Sequence, residues 1–270
     1  KKGELLTRAE IVELDPVEVN SGCPEGKIEL PHVTRGTSSD SSEIDPVQRM
    51  VARLPDTLEP QQKEKAKRFI EEHASVFSKS EFDLGRTDLV THTIDTGGSR
   101  PFKQQLRRHP ITHLQIIDDH VEKMLEHGII SPTSSPWASN VVLVRKSNGD
   151  LRFCVDFRQL NACTVKDSYP LPRIDVCMDT LNGAQYFSTL DLRSGYWQLQ
   201  LEPESSEKTA FVTRKGVWKF NVLAFGLSNA PALFQRLMDL VLAGLTWQVC
   251  LAFLDDIIIM STTFEQHLER

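Results

Sequence analysis

The stretch V-C-L-A-F-L-D-D-I-I-I-M, residues 249–260, decides the fold, because Asp255 and Asp256 interrupt an otherwise apolar run. Each flank has the length of a strand and is rich in residues that favour β structure. A buried strand does not hold two adjacent carboxylates, because burying an unpaired charge is costly. The stretch therefore predicts a tight hairpin that buries both flanks and presents the two carboxylates at its tip.

Carboxylates at a hairpin tip suit Mg²⁺, which prefers hard oxygen ligands. An ordinary Asp-Asp turn between two strands fits the same pattern, so the hairpin alone leaves both readings open. A third carboxylate, Asp191, lies near the end of a predicted strand, Y-F-S-T-L-D-L at residues 186–192. If the two elements are neighbours, the three carboxylates converge and can hold two Mg²⁺ ions, as polymerases and nucleases do.

The composition narrows the class of protein. The chain has 270 residues, of which 40 % are hydrophobic and 25 % charged, so a folded core is expected. No signal peptide begins at Lys1 and no run reaches the roughly 18 apolar residues of a membrane span, so no membrane partner is expected. The five cysteines form no C-x-x-C pair, which favours free thiols in a reducing, intracellular compartment.

The charge is distributed unevenly. The net charge is −6, yet residues 100–175 contain 11 basic and 8 acidic residues. A local basic face can bind phosphates while the whole chain stays acidic, although a solvated surface explains so small a surplus equally well. Lys146 and Arg152 flank the Asn148-Gly149 turn signal and could reach one ligand. A triphosphate suits such paired cations, and cross-strand surface charge is the alternative.

The remaining pattern predicts an irregular order of helices and strands. Residues 1–45 are rich in Gly, Pro, Ser and acidic residues and are expected to be a flexible linker or the remnant of a preceding domain. Helices are predicted at 59–77, 110–127, 172–181 and 230–242, the last capped by Ser228 or Asn229. Strands are predicted at 140–156, as a hairpin, and at 186–192 and 208–220. This order favours an α+β fold over a doubly wound sheet.

Seven motifs in a fixed order make the sequence resemble a known family. They are S-S-P-W-A-S-N-V-V-L-V-R-K (134–146), L-R-F-C-V-D-F-R-Q-L-N (151–161), Y-P-L-P-R-I-D (169–175), F-S-T-L-D-L-R-S-G-Y-W-Q (187–198), K-T-A-F-V-T (208–213), F-G-L-S-N-A-P-A-L-F-Q-R-L-M (225–238) and F-L-D-D (253–256). With D-L-G-R-T-D-L-V-T-H at 83–92, they resemble the reverse transcriptase of gypsy-like LTR retrotransposons, which is part of the Pol polyprotein.

This resemblance implies an α+β right-hand polymerase fold made of fingers and palm. A helical extension at 46–95 would lead into a reverse transcriptase domain at 96–270. Its fingers would comprise about 96–164 and 201–224, and its palm about 165–200 and 225–270. The chain is expected to stop before the thumb, so the thumb, connection and RNase H domains of the family would lie downstream.

The resemblance also implies roles for single residues. Asp191, Asp255 and Asp256 match the catalytic carboxylates that bind two Mg²⁺ ions, with Mn²⁺ as a substitute. The positions that match nucleotide-binding residues are Lys146, Arg152, Tyr196, Phe225 and Gly226. The positions that match template and primer contacts are Asp156, Arg158, Phe253 and Leu254. Among the nucleotide-binding positions, Tyr196 matches the aromatic residue beneath the sugar that rejects a 2′-hydroxyl.

Two positions depart from the family pattern. Phe253 stands where the family usually has the tyrosine of Y-x-D-D, and Ala224 stands where it often has proline. The implied activity is RNA-directed DNA synthesis, with dNTPs and a primed RNA or DNA template as partners, in cytoplasmic particles or the nucleus. An inactive Pol remnant that binds nucleic acid or another partner is the alternative. A two-metal nuclease or phosphatase would explain the carboxylates but not Tyr196 or the paired cations.

Overall fold

The computed structural model describes the backbone of residues 9–13 and, in full, residues 46–80, 82–145 and 149–270. These residues form eight helices and eleven strands, which confirms the α+β prediction. The helices are α1 (Pro46–Ala52), α2 (Pro60–Glu72), α3 (Ile111–Glu126), α4 (Arg158–Cys163), α5 (Ile174–Thr180), α6 (Pro203–Lys208), α7 (Ala230–Val241) and α8 (Phe264–Glu269). The strands are β1 (Ala9–Glu13), β2 (Thr87–His92), β3 (Ile130–Pro132), β4 (Ser139–Arg145), β5 (Leu151–Val155), β6 (Tyr186–Leu192), β7 (Leu199–Leu201), β8 (Phe211–Thr213), β9 (Gly216–Phe220), β10 (Cys250–Phe253) and β11 (Asp256–Ser261).

Two larger sheets organise the chain. An antiparallel sheet of four strands has the order β1-β6-β11-β10, so the strand that contains Asp191 lies between β1 and the predicted hairpin. A second sheet of five strands has the order β3-β9-β8-β4-β5. Strands β2 and β7 form a short parallel pair. One continuous hydrophobic core runs through this region and includes Phe211, Leu223 and Phe234.

A smaller hydrophobic core joins the N-terminal helices to the end of the chain. Met50 of α1 and Ile70 of α2 pack with Phe264 of α8. Tyr186, the first residue of β6, packs against the same cluster, and its ring lies 5.9 Å from the ring of Phe264. The N-terminal helices therefore support the strand that contains Asp191, at the end opposite to that carboxylate.

Most predicted elements are confirmed, with boundaries that shift by a few residues. The predicted helices correspond to α2, α3, α5 and α7, and the predicted strands to β4 to β6 and β8 to β11. Residues 146–148, which include Asn148 of the predicted turn, lie outside the described residues, as does the remainder of 1–45 beyond β1. Among the described helices, α1, α4, α6 and α8 have six or seven residues each and were missed, because so short a segment has little periodicity.

The predicted cap of α7 has the right position but a different contact. Asn229 is the residue before the helix, yet its side chain makes no capping hydrogen bond. Its Oδ1 accepts a hydrogen bond from the backbone N–H of Asp167, and its Nδ2 donates one to the carbonyl of Val165. The side chain therefore ties the start of α7 to a distant segment instead of capping the helix.

None of the helices within the described ranges combines the length and the apolar character needed to cross a bilayer. The four cysteines of those ranges, Cys154, Cys163, Cys177 and Cys250, are free thiols, as predicted. Cys23 lies outside them.

His92, at the end of β2, predicts a pH dependence of stability. Its side chain is buried, and burial lowers its pKa from 6.5 to about 4 against the opposing effect of the negative charges on Asp167 and Glu202. The unfolded chain therefore binds the proton more tightly, and stability falls as the pH drops from 6.5 towards 4. We expect His92 to contribute a loss of about 2 kcal/mol in unfolding free energy between pH 7 and pH 5.

The measurement is urea unfolding of the wild type and of His92→Asn at pH 7 and pH 5. The substitution removes the titrating group, so the variant should lose less stability over this interval, whatever its stability at pH 7. The difference between the two slopes isolates His92 from His267, whose pKa is also lowered by burial. Parallel pH dependence in the two proteins would contradict the prediction.

Candidate active site

The predicted hairpin is present, with its two carboxylates at the tip. Strand β10 ends at Phe253 and β11 begins at Asp256, so Leu254 and Asp255 form a two-residue connection. Leu254 has φ +55°, in the left-handed region that residues with a side chain seldom occupy. A tight turn between two buried flanks explains both the exposed carboxylate of Asp256 and the unusual backbone of Leu254.

Strand β6 brings Asp191 to the same end of the sheet. Asp191 is the Cα partner of Asp256 in the antiparallel pair of β6 and β11, and residues paired in this way project from the same face. The backbone N–H of Leu192 donates a hydrogen bond of 3.0 Å to the carbonyl oxygen of Asp255, which ties the turn to β6. On the other side of β6, Glu10 is the Cα partner of Asp191. The strand and the hairpin are therefore neighbours, which is the condition that a shared site for the three carboxylates requires.

The surroundings of Asp255 disfavour the charged form of its carboxyl group. Burial, together with the negative charges of Asp191 and Asp256, raises its pKa to about 7. Its Oδ1 is buried and has no hydrogen-bond partner among the described residues. The same carboxylate acts on Tyr196, whose pKa is raised to about 12 by burial and by the charge on Asp255. A cation beside Asp255 would offset the repulsion from Asp191 and Asp256 and would give the buried Oδ1 a partner.

Gly195 allows this carboxylate to lie close to the neighbouring backbone. A Cβ at this position would lie 2.7 Å from Cζ of Phe234 and 3.1 Å from Oδ1 of Asp255. Phe234 itself is only 1 % exposed and belongs to α7, so its ring has little room to move. The glycine of S-G-Y is therefore required by space and not by its backbone conformation.

The carboxylates have the right chemistry for a divalent ion, but they are not arranged as a complete ligand set. In the part of the chain that the structure describes, no three His, Cys, Asp or Glu side chains are close enough together to hold a metal ion. The donors at this end of the sheet are carboxylate oxygens, the type that Mg²⁺ and Mn²⁺ prefer, and one of them is buried without a partner. The two-ion site stays a prediction.

Three of the predicted nucleotide-binding residues lie together beside the carboxylates. The ring of Tyr196 lies 5.1 Å from the ring of Phe225 and 5.2 Å from that of Phe234. Phe225 is 46 % exposed, unusual for a phenylalanine that touches the core, so one side of this aromatic pair faces solvent. Gly226 has φ +91°, and its carbonyl accepts a hydrogen bond of 2.8 Å from Nδ2 of Asn161.

The described residues do not test the predicted joint action of Lys146 and Arg152 on a triphosphate. Lys146 lies outside the described residues. Arg152 is exposed on β5, the edge strand of the five-stranded sheet, opposite Val144. Their joint action on one ligand therefore stays a prediction.

The predicted template contacts pair with each other. The guanidinium of Arg158 donates to both carboxylate oxygens of Asp156, over 2.8 Å and 2.7 Å, and Arg107 lies 3.7 Å away. The hydrogen bond from Arg158 holds the pKa of Asp156 below its usual value. Arg158 remains largely exposed, so a phosphate would compete with Asp156 for this guanidinium. The predicted primer contacts, Phe253 and Leu254, are half-buried at the hairpin tip.

Sequence reasoning missed two residues that shape this site, Gly195 and Gln235. Gln235 is fully buried on α7, and its amide contacts the hairpin. A glutamine inside a helix is ordinarily a surface residue, so the local pattern contains no signal for this contact. The glycine lies within a quoted motif, but only the distances to Phe234 and Asp255 reveal why it is there.

Comparisons with known proteins point to the reverse transcriptase family. Residues 144–270 match the family model described as reverse transcriptase (RNA-dependent DNA polymerase). The chain is 34 % identical over 238 residues to the retrovirus-related Pol polyprotein from transposon 297 of Drosophila melanogaster, a match that covers 86 % of this chain and 22 % of that protein. It is 35 % identical over 200 residues to the Pol polyprotein from transposon gypsy of the same organism, covering 72 % of this chain and 19 % of the relative. The chain thus spans about a fifth of the length of these relatives.

Solved structures show the same fold at lower identity. The protease-reverse transcriptase of prototype foamy virus superposes with a TM-score of 0.73 at 23 % identity, over 83 % of this chain and 30 % of that protein. A foamy viral protease-reverse transcriptase solved in complex with an RNA/DNA hybrid gives a TM-score of 0.72 at 20 % identity, with the same coverage. These similarities support the right-hand polymerase arrangement of the fold.

Proposed function

We propose that this chain, which belongs to the reverse transcriptase family of LTR-retrotransposon Pol polyproteins, is the part of an RNA-directed DNA polymerase that contains its active site. The observation that carries the proposal is the sheet register that sets Asp191 opposite Asp256, with Asp255 near enough to feel both charges and its buried Oδ1 without a partner among the described residues. We also propose that this chain is part of a longer Pol polyprotein, in which thumb, connection and RNase H domains lie downstream.

The reaction is nucleotidyl transfer to a primer. The 3′-hydroxyl oxygen of the primer loses its proton to solvent and forms a bond to the α-phosphorus of a dNTP, the bond from that phosphorus to the bridging oxygen breaks, and pyrophosphate leaves. The family depends on divalent metal, and we assign Asp191, Asp255 and Asp256 as ligands, with Mg²⁺ as the ion and Mn²⁺ as a substitute. When bound, the metal lowers the pKa of the attacking hydroxyl and neutralises charge on the leaving group.

The chain itself would contribute alignment. The aromatic pair of Tyr196 and Phe225, with the backbone at Gly226, would support the sugar and base of the incoming nucleotide. Lys146 and Arg152 would bind the triphosphate. Phe253 and Leu254 would contact the primer end beside the carboxylates. Arg158, released from Asp156 by a phosphate, would bind the template.

We assign the four-stranded sheet with α7 to the palm and the five-stranded sheet to the fingers, with boundaries near 96–164 and 201–224 for the fingers. Foamy viral protease-reverse transcriptases are solved in complex with an RNA/DNA hybrid and with dsDNA, which supports a template–primer duplex as the partner of this chain. An RNA template paired with DNA would be recognised by its shape more than by its sequence.

The test is primer extension on an RNA template, with dNTPs and Mg²⁺ or Mn²⁺. The proposal predicts stepwise addition that requires all four dNTPs and a divalent ion. Template cleavage without dNTPs would indicate a nuclease. Binding of the primed template by folded protein, with no addition under any metal, would overturn the polymerase proposal and leave a nucleic-acid-binding module.

Tyr196 should determine the choice between deoxyribonucleotides and ribonucleotides. Its buried ring lies against Phe225, and removal of the ring would open space for a 2′-hydroxyl. We expect Tyr196→Val to raise the incorporation of rNTPs relative to dNTPs by about 10-fold to 100-fold. Single-nucleotide incorporation kinetics would measure this ratio.

Tyr186→Val is the matched control, because Tyr186 packs against Phe264 in the smaller core, away from Phe225. It should leave the ratio unchanged. An equal ratio in the wild type and in Tyr196→Val would show that this ring does not discriminate between the sugars.

A further inference from the structure

Gln235 on α7 uses its whole side-chain amide to hold the hairpin. Its Oε1 accepts a hydrogen bond of 2.9 Å from the backbone N–H of Leu254. Its Nε2 donates to the carbonyl of Ala252 over 3.2 Å and to Oδ1 of Asp239 over 3.1 Å. Gln235 is fully buried, so water cannot replace these contacts. Both donor hydrogens and the acceptor of the amide are therefore in use.

Of the two backbone groups that Gln235 binds, the carbonyl of Ala252 belongs to the edge strand β10 and the N–H of Leu254 to the turn that follows it. Strand β10 pairs only with β11 among the described strands, so the outward N–H of Leu254 and carbonyl of Ala252 have no neighbouring strand. The amide of Gln235 supplies one acceptor and one donor at this spacing, as the backbone of a further strand would. Because buried backbone groups without partners are costly, this contact favours the left-handed turn at Leu254.

Asp239 and Tyr169 determine which way the amide faces. Oδ1 of Asp239 accepts from Nε2 of Gln235, and Oδ2 accepts a hydrogen bond of 2.6 Å from the hydroxyl of Tyr169. A flipped amide would direct Nε2 at the N–H of Leu254 and Oε1 at the carboxylate of Asp239. Leu254 and Asp239 therefore both select the observed orientation. The guanidinium of Arg236 lies 4.7 Å from the centre of the Tyr169 ring, which helps to hold that ring in place.

We propose that Gln235 is a positioning residue that holds the Leu254 turn and thereby aligns the carboxylates of Asp255 and Asp256, with Asp239 and Tyr169 fixing its amide. The proposal rests on the proposed polymerase function, because alignment of these carboxylates matters only if they hold a divalent ion. Gln235 touches neither carboxylate, so its effect passes through the backbone between Ala252 and Leu254. Ligands held in place before the ion arrives bind it more tightly than ligands that must be ordered.

The principal variant is Gln235→Met, which keeps the length of the side chain and removes all three hydrogen bonds. Three quantities are measured: hydrogen exchange of the Leu254 amide, Mn²⁺ affinity by electron paramagnetic resonance, and the kinetics of primer extension. We expect exchange at Leu254 to rise and Mn²⁺ affinity to fall, each by about tenfold. We expect kcat to fall by about 10-fold to 100-fold, with the KM for dNTP within about threefold of the wild type.

Two further variants refine the test. Gln235→Glu keeps an acceptor for Leu254, so it should preserve more of the amide protection than Gln235→Met. Tyr169→Phe removes only the hydroxyl on Asp239 and should weaken Mn²⁺ binding in the same direction by about threefold. If Gln235→Met fails to fold, Tyr169→Phe decides the question. Wild-type exchange of the Leu254 amide and wild-type Mn²⁺ affinity in that variant would overturn the proposed route from Tyr169 through Asp239 and Gln235 to the turn.

Asn221→Leu is the matched control. Asn221 bridges Ser131 and the carbonyl of Gly128 with its amide, away from the hairpin. It should lower overall stability without changing Leu254 exchange or Mn²⁺ affinity beyond that global effect. If Gln235→Met behaves like Asn221→Leu in both measurements, the positioning role is wrong. If the wild type extends no primer, the polymerase proposal fails, while exchange and Mn²⁺ affinity still decide whether Gln235 positions the turn.

Discussion

Replacing Asp255 with asparagine is expected to abolish primer extension and, at the same time, to stabilise the protein. The substitution removes a charged oxygen ligand, and we expect the extension rate to fall by about 10³-fold or more. The shape of the side chain is nearly unchanged. The loss therefore reflects the missing charge and not a rearrangement of the hairpin.

The gain in stability follows from the pKa of Asp255. Its pKa in the folded chain is about 7, well above the ordinary 3.8, so the protonated carboxyl stabilises the fold at low pH and this contribution is lost as the pH rises through 7. Above pH 7 the ionised group is buried next to the negative charges of Asp191 and Asp256. Asparagine carries no charge, so we expect Asp255→Asn to raise the unfolding free energy at pH 8 by about 2 kcal/mol.

Thermal unfolding at pH 5 and pH 8, with and without Mg²⁺, measures both effects. The gain should be visible at pH 8 and small at pH 5, where the wild-type carboxyl is already protonated. Mg²⁺ should raise the melting temperature of the wild type and leave Asp255→Asn unchanged. Asp179→Asn, at an exposed aspartate on α5, should alter neither activity nor the response to Mg²⁺. Normal extension by Asp255→Asn would remove Asp255 from the catalytic set.

Gly195→Ala is expected to produce the second-largest effect, because it adds a single methyl group where there is no space. The new Cβ would lie 2.7 Å from Cζ of Phe234, a buried ring that packs against Tyr196, and 3.1 Å from Oδ1 of Asp255. Relief of the first contact requires α7 or the S-G-Y segment to shift. We expect a loss of about 2–3 kcal/mol in unfolding free energy and about 100-fold in extension rate.

A double variant separates the two contacts. Phe234→Leu removes the ring atoms that the new methyl group meets, so adding it to Gly195→Ala should recover part of the stability. The contact with Asp255 persists in the double variant, so the extension rate should remain low relative to Phe234→Leu alone. Denaturant unfolding and primer extension of the wild type, Gly195→Ala, Phe234→Leu and the double variant complete this double-mutant cycle. A wild-type melting temperature and rate in Gly195→Ala would contradict the spatial argument.

The predictions that held concern local patterns. The apolar run around Asp255 and Asp256 predicted a hairpin, and Y-F-S-T-L-D-L predicted β6 with the boundaries that the structure has. Each pattern depends only on neighbouring residues, since a strand is specified by its own apolar and β-branched side chains and a turn by the residues that interrupt them. The identities of Tyr196 and Phe225 came from the resemblance, and their ring contact came from the structure.

The predictions that needed correction, and the residues that were missed, concern partners far away in sequence. Ser228 or Asn229 was expected to cap α7, but the side chain of Asn229 binds the backbone groups of Val165 and Asp167 instead. Asp156 and Arg158 pair with each other in the folded chain, and their contact with a template stays a prediction. For Asn229, a polar side chain binds backbone groups more than sixty residues away, and no sequence pattern records which groups these are.

The sequence by itself predicted two adjacent carboxylates at the tip of a hairpin with buried flanks, because unpaired charge is costly to bury within a strand. Its motifs also indicated the family, which the comparisons with known proteins support. Only the tertiary structure decided the register that sets Asp191 opposite Asp256. It also decided the close approach of Phe234 and Asp255 to Gly195 and the hydrogen bond between Gln235 and Leu254. These depend on which distant backbone and side-chain groups are left without partners once the sheets pack, and that is a property of the whole fold.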